Sequence, residues 1–362
     1  MEKELFALLR LGLGNSTPEE EALSDFIMMS AEKWAQLGEK ALEQGVLGIV
    51  LDGVEQLEAT PFGPTRGLSK HQKLEWIGQV MQMEQGNRHQ IDVMNDLANK
   101  WTNEGCKVMV MKGQANGLLY PNSLHRSPGD IDCYLFDNYV LGNEIAKREG
   151  AQVDESWYKH SQISYKEELF ENHLYFVHTR EGKRSKRLQK ELEDALVVSG
   201  WETFPNSCIL LPPVQWNAMF LTYHACAHFM TEGLHIKQVL DWAMFLKKEQ
   251  LNVNWSEFYL FCERHHLLRF AEAITSICVK HLGVKVLAPS LVTESPYSHK
   301  VLQSALYDDD YIYGGGESRW GGRIHLIKSL FRHKWKYKEI YQQSVWKQLW
   351  WYMTGFLFHT EG

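Results

Sequence analysis

The sequence predicts an α+β protein, a small mixed-sheet core with helical N- and C-terminal regions. Three observations carry this. Apolar residues recur at three-to-four spacing through residues 16–57 and again after Leu211, the period of a buried helix face. Between them, residues 106–180 hold short apolar or alternating runs, "CKVMVM", "DIDCYLF" and "SQISYKEE", which read as strands. At 362 residues the chain exceeds the size at which one core keeps growing, so several substructures are expected. Boundaries are placed at 1–104 (helical), 105–200 (sheet-bearing core) and 201–362 (helical).

Taken in order, Ser16-Thr17-Pro18 and the following glutamates make a helix start. "PFGPTRG" is a loop, and a longer helix runs from Lys70 to about Glu104, ended by Gly105. "CKVMVM" is the first strand, "QANGLLY" a short helix opening after Gly113, and "DIDCYLF" the second strand. "NEIAKRE" is a helix stopping at Gly150. "SQISYKEE" and "HLYFVHTR", separated by Leu169–Asn172, predict a hairpin. "REGKRSKRLQK" and "GWETFPNS" form a connector, after which helices resume with "VQWNAMFLTYHACAHFM", "HIKQVLDWAMFLKKE", "WSEFYLFCERHHLL" and "RFAEAITSICVKHLG". A Gly-rich loop, "YDDDYIYGGGESRWGG", precedes a basic, Trp-rich segment.

Composition excludes several classes. At 44% hydrophobic and 23% charged the chain is neither disordered nor fibrous. A net charge of -7 argues against a general nucleic-acid binder. Six scattered cysteines without a C-x-x-C pair suggest reduced thiols rather than disulfides or a zinc site. The first residues are too acidic for a signal peptide, and no run reaches the roughly 20 apolar residues of a membrane span. A soluble, cytoplasmic protein is expected.

The chemistry concentrates in "VMKGQANGLLYPNSLHRSPGDIDCYL". Asp130 and Asp132 alternate along a strand and so share a face. Two such carboxylates repel unless a proton or cation lies between them. Mg2+ suits the arrangement, taking one or two carboxylates and completing its shell with water and phosphate. Gly113, at a strand-to-helix junction, would present backbone N–H groups to a phosphate, with the Lys112 charge nearby. Each element alone is common: a D-x-D is more often a solvated strand or turn, and no Walker-type loop occurs. The order strand, Lys-Gly, helix, Tyr-Pro, Arg, Gly-Asp-x-Asp carries the signal.

That order resembles the motif of an uncharacterised nucleotidyltransferase family, a branch of the polymerase-beta-type nucleotidyltransferase superfamily. Its members read lysine-glycine, leucine-tyrosine-proline, arginine, then glycine-aspartate-isoleucine-aspartate. The resemblance is strongest over residues 106–136. It extends more loosely through His178 and to a helix histidine, a glycine segment and a helix aspartate, matched by His228, Gly233 and Asp241. It implies Mg2+-dependent transfer of a nucleoside monophosphate from an NTP to an acceptor hydroxyl, with Asp130 and Asp132 as the catalytic, metal-holding pair. Lys112, Gly113, Gln114, Arg126 and Gly129 would lie at the nucleotide. Arg126 would either neutralise phosphate or pair with Asp130 or Asp132. His178, His228 and Asp241 are acceptor-side or structural residues, and the acceptor itself (small molecule, sugar, protein or RNA) stays open.

The superfamily usually carries a third carboxylate, in this family commonly two residues before a strand histidine. With His178 taken as that histidine, Phe176 stands in the acid's place, and Glu171 and Asp154 look badly placed to substitute. The alternative is therefore a catalytically silent nucleotide-binding or interaction protein on the same fold.

Four further features have two readings each. His224 and His228 share a helix face and would bind metal or pack and hydrogen-bond with Asp241. His265-His266 suits a helix end. Asp308-Asp309-Asp310 is a cation site or a solvated turn. "RIHLIKSLFRHKWKYKEIYQQSVWKQLWWY" is suited to a membrane surface, nucleic acid or phosphorylated acceptor, or simply to burying tryptophans beneath a basic face.

Overall fold

The computed structural model describes residues 1–18, 26, 28–60, 67–179, 182–231, 233–308 and 327–350. The N-terminal region is helical: α1 (Glu2–Gly12), α2 (Ala31–Glu43), α3 (Leu47–Glu58) and the 34-residue α4 (Lys70–Asn103). Ser30 caps α2 by accepting from the Lys33 N–H, and Ser69 and Gln72 form a capping box on α4. The glutamates expected to open a helix after Pro18 lie outside the described residues.

The sheet region comprises β1 (Met109–Val110), the short α5 (Gln114–Gly117), β2 (Ile131–Tyr134), α6 (Tyr139–Arg148), β3 (Gln152–Asp154), β4 (His160–Tyr165) and β5 (Glu168–His173). Spatial order is β1-β2-β5-β4-β3. β2 and β5 run parallel and the other neighbours antiparallel, so the sheet is mixed and the protein is α+β. Helices α7 (Lys183–Asp194), α8 (Val214–Thr231), α9 (Ile236–Glu249), α10 (Trp255–Arg264), α11 (Leu268–Leu282) and α12 (Ser298–Tyr307) follow.

The first strand divides two hydrophobic cores by its two-residue period. Val108 and Val110 face a cluster of the sheet, α6 and the C-terminal half of α4. Met109 and Met111 face a larger cluster built from α1–α3 together with α8–α12. The N- and C-terminal helices thus share one interior, tied further by Arg10 donating to the His281 carbonyl and Lys247 to the Leu13 carbonyl.

The β4–β5 hairpin does not turn where the sequence suggests. Its two-residue turn is Lys166-Glu167, both with positive φ (47° and 69°), the geometry that matches strand twist but usually recruits Asn or Gly. Leu169–Asn172, expected as the connection, lies within β5 instead. "YFVHT" falls beyond the strand, and Arg180 lies outside the described residues.

In the C-terminal segment Leu330, Tyr337 and Ile340 are buried, and Lys300 sits over the Trp335 ring at 4.3 Å. Trp346 and Trp350 are exposed. Asp308 pairs with Lys336 at 3.1 Å, while Asp309 and Asp310 lie outside the described residues. No helix among the described residues is long and apolar enough to cross a membrane.

Helices α1 and α3 cross backbone to backbone. A Cβ on Gly12 would lie 2.0 Å from the Ile49 carbonyl oxygen, and one on Gly53 would lie 2.2 Å from that of Leu8. Neither obstacle is a flexible side-chain tip. Gly53→Ala is therefore expected to destabilise the fold by about 1–3 kcal/mol, read as a lowered urea midpoint with an unchanged m-value.

Candidate active site

Three carboxylates converge where β2 and β5 lie side by side. Asp132 on β2 is the register partner of Glu171 on β5, and Asp130 sits just before β2. One oxygen from each of Asp130, Asp132 and Glu171 falls within 4.8 Å of the others. Side chains two apart on one strand and a residue opposite on its neighbour project from the same face, so the grouping follows from pleat and register.

Two cations hold this repulsion in check. Lys112, at the turn leaving β1, places Nζ 2.8 Å from Asp132 Oδ2 and 3.7 Å from Asp130 Oδ1. His173 Nε2 lies 3.0 Å from Asp132 Oδ1 and 3.3 Å from Glu171, and its Nδ1 lies 3.1 Å from the Tyr175 carbonyl. A carbonyl only accepts, so Nδ1 carries a proton; Nε2 against carboxylates carries the other. His173 is thus an imidazolium. Burial opposes its charge, but the bonds to Asp132 and Glu171 win and raise its pKa.

Asp132 is buried, which disfavours ionisation, yet Lys112 and then His173 hold its carboxyl well below the usual range. Asp130 goes the other way, raised by burial and by the Asp132 charge. Lys112 is raised because Asp132 and Asp130 outweigh its desolvation. Burial pushes His160 down to about 4, leaving a neutral ring with Nε2 3.3 Å from Glu171 and the exposed Trp157 stacked on it. His160, Glu171 and His173 also cluster closely enough for a metal. His173 Nε2, though, is already directed at Asp132 at 3.0 Å. The all-oxygen triad is the set that fits a hard dication.

A family described as "uncharacterised nucleotidyltransferase" matches residues 30–283, well over half of the chain. The chain belongs to that family. Neither a curated protein nor a solved structure matches it.

In this member of the family, the expectation that Phe176 stands in the place of a third acid does not hold. Phe176 is not on the sheet beside Asp132. It is buried in the larger core, packed on Tyr134, Trp216 and Phe220. Glu171 occupies the neighbouring-strand position and stands two residues before His173, the spacing sought at His178. Asp154, on β3 at the far edge of the sheet, is exposed.

A cleft of about 120 Å³ opens beside the triad. Lys112, Gly113, Gly129 and Asp130 form its sheet side, while His224, His228 and Asp241 line it from α8 and α9. Gly113 adopts φ 59°, ψ -123°, a region that favours glycine; a Cβ there would sit 3.7 Å from the Asp130 carbonyl, so conformation rather than space demands the glycine. Arg126 also lines the cleft, but its pairing is with Asp241, through Nε and Nη2 at 2.9 Å each, rather than with Asp130 or Asp132. Tyr120 donates to the same carboxylate at 2.8 Å. The rings of His224 and His228 meet at 4.4 Å.

Other expected residues lie apart. Gln114 is buried away from the cleft, donating to Asn87 and Gln90 at 2.8 Å. His178 bonds to Tyr158 and lines a separate cavity of about 290 Å³. His265 is the C-cap of α10, with Nε2 3.2 Å from Glu191.

One clamp carried no sequence signal. His125 places Nδ1 2.8 Å from Asp52 on α3 and Nε2 2.9 Å from Glu84 on α4, pinning the loop that ends in Arg126. Burial opposes its charge, but Asp52 and then Glu84 raise its pKa above 6.5. Such a group stabilises fully below the unfolded pKa and loses its contribution as pH rises through the folded one. His125→Gln should therefore cost most near about pH 6, the gap to the parent narrowing as pH rises beyond the raised value; urea melts across that range check it. Phe176→Asp should fail to fold, since it buries a charge among aromatic rings, and circular dichroism would show lost helix whether or not Mg2+ is added.

Proposed function

We propose that the protein catalyses Mg2+-dependent transfer of a nucleoside monophosphate from a nucleoside triphosphate to an acceptor hydroxyl. The observation that carries the proposal is the convergence of Asp130, Asp132 and Glu171 within 4.8 Å. Family membership supports transferase chemistry. Mg2+ held by these oxygens would neutralise the α-phosphate and lower the pKa of the attacking hydroxyl.

The chain's own residues divide the remaining work. Asp132 is kept ionised by Lys112 and His173, the form that a cation would bind. His173 also fixes the rotamers of Asp132 and Glu171 from behind. Asp130 is the more exposed of the DxD pair and faces the cleft. Lys112 is the internal counter-ion until a cation takes the carboxylates, and its ammonium is then available to a phosphate oxygen. The acceptor oxygen attacks the α-phosphorus, its proton passes to a carboxylate or to water, and pyrophosphate leaves with the bonding electron pair. The register of Glu171 beside Asp132 supports this reading over a catalytically silent protein with Phe176 in the acid's place.

The test is pyrophosphate release with Mg2+ and each of four triphosphates over a panel of acceptors. Asp130→Asn, Asp132→Asn and Glu171→Gln should each lower release by about 100-fold or more. The parent's melting temperature should rise with Mg2+ and triphosphate together, and those of the three variants much less. Parental turnover by Glu171→Gln would remove the three-carboxylate mechanism.

A further inference from the structure

Lys237 lies in the first turn of α9 and lines the helical side of the cleft, opposite Lys112 and Gly113. Of the neighbouring cations, Lys112 is held by Asp132 and Asp130 until a metal ion takes those carboxylates and stays on the sheet side, and Arg126 is held by Asp241. Among the described residues no carboxylate pairs with the Lys237 ammonium. Burial and then repulsion from Arg126 lower its pKa. The backbone at this helix start is spent locally, since Ile236 N–H donates to the Gln44 side chain and Lys237 N–H to the Gln44 carbonyl. What faces the cleft is therefore the side chain alone, a half-buried ammonium that feels the Asp241 and Asp130 charges but forms no ion pair among the described residues. Such a charge is costly until an anion arrives.

We propose that Lys237 binds the β- and γ-phosphates of the nucleotide and stays with the pyrophosphate as it leaves. The inference rests on the nucleotidyltransferase reading and adds the residue that neutralises the leaving group. As the acceptor oxygen bonds to the α-phosphorus, the bond from that phosphorus to the bridging oxygen breaks. The bridging oxygen keeps the electron pair, so new negative charge grows on the pyrophosphate while the acceptor proton departs to a carboxylate or water. A cation held by the triad would fix the reacting phosphate on the sheet side, while Lys237 meets the growing charge from α9.

Two variants and three ligands test this. Lys237→Met keeps the stem and removes the charge; Lys237→Arg restores the charge. Calorimetry with Mg2+ would compare non-hydrolysable α,β-methylene triphosphates of the four bases, the matching monophosphates and inorganic pyrophosphate. Lys237→Met should weaken triphosphate and pyrophosphate about 10- to 100-fold, leave monophosphate within about twofold, and melt no lower than the parent, with Lys237→Arg recovering most of the loss. A parent that binds triphosphate and a Lys237→Met variant that binds it equally would overturn the role of Lys237 while the transferase reading stands. Parallel losses on monophosphate and triphosphate would also overturn it, marking Lys237 as structural. A parent that binds neither triphosphate nor pyrophosphate would overturn both.

Discussion

Three carboxylates facing one another across two strands repel, and much of the surrounding structure exists to contain that repulsion. Asp132 is almost fully buried, where an uncompensated charge would simply take up a proton. Its two compensating cations come from the two strands that flank β2, Lys112 from the end of β1 and His173 from the end of β5. That requirement explains the Lys-Gly pair. The lysine must leave its strand beside Asp132, and the chain must then reverse, which the positive φ of Gly113 permits. It also explains why a histidine follows Glu171 at a spacing of two: the same pleat face that presents the acid presents its counter-ion.

Neutralisation reaches outward in a second ring. Arg126 and Asp241 satisfy each other across 115 residues, and Tyr120 completes the carboxylate's hydrogen bonding. His125, one residue before Arg126, is itself held between two acids on separate helices. The loop between α5 and β2 is thus anchored by paired charges at consecutive positions, so the segment delivering Asp130 is fixed without needing a strand of its own.

What could be seen in the sequence follows from how local each feature is. Asp130, Asp132, Lys112 and Gly113 are close in the chain, so their spacing alone suggested a shared site, and the helical and strand-bearing stretches announced themselves by period. Glu171 is not legible as a strand residue beside Asp132, because Lys166-Glu167 makes a positive-φ turn without the usual glycine or asparagine. Shifting that turn by a few residues moves β5 and reassigns every side chain on it. Partners distant in sequence were invisible. Nothing local announces that Arg126 finds Asp241, or that Gln114 turns away from the cleft toward Asn87 and Gln90.

Helix α4, about 51 Å long at 1.5 Å per residue, passes from one hydrophobic core to the other. Trp76 and Val80 belong to the larger core, and Val93, Leu97 and Trp101 to the core beneath the sheet. Where it crosses, the interior is made of amides. Asn87 donates to the carbonyls of Leu124 and Arg126, Gln90 donates to that of Gly129, and Gln114 bridges the two. Hydrocarbon interiors resist sliding because any displacement opens a void or exposes apolar surface. Buried amides resist it in another way, because each bond is directional and a donor or acceptor left unpaired costs about 1–3 kcal/mol. The seam between the helical body and the sheet is therefore keyed rather than greased: its bonds admit one alignment of α4 against the loop that carries Asp130, so the two cores are held in a single relative setting.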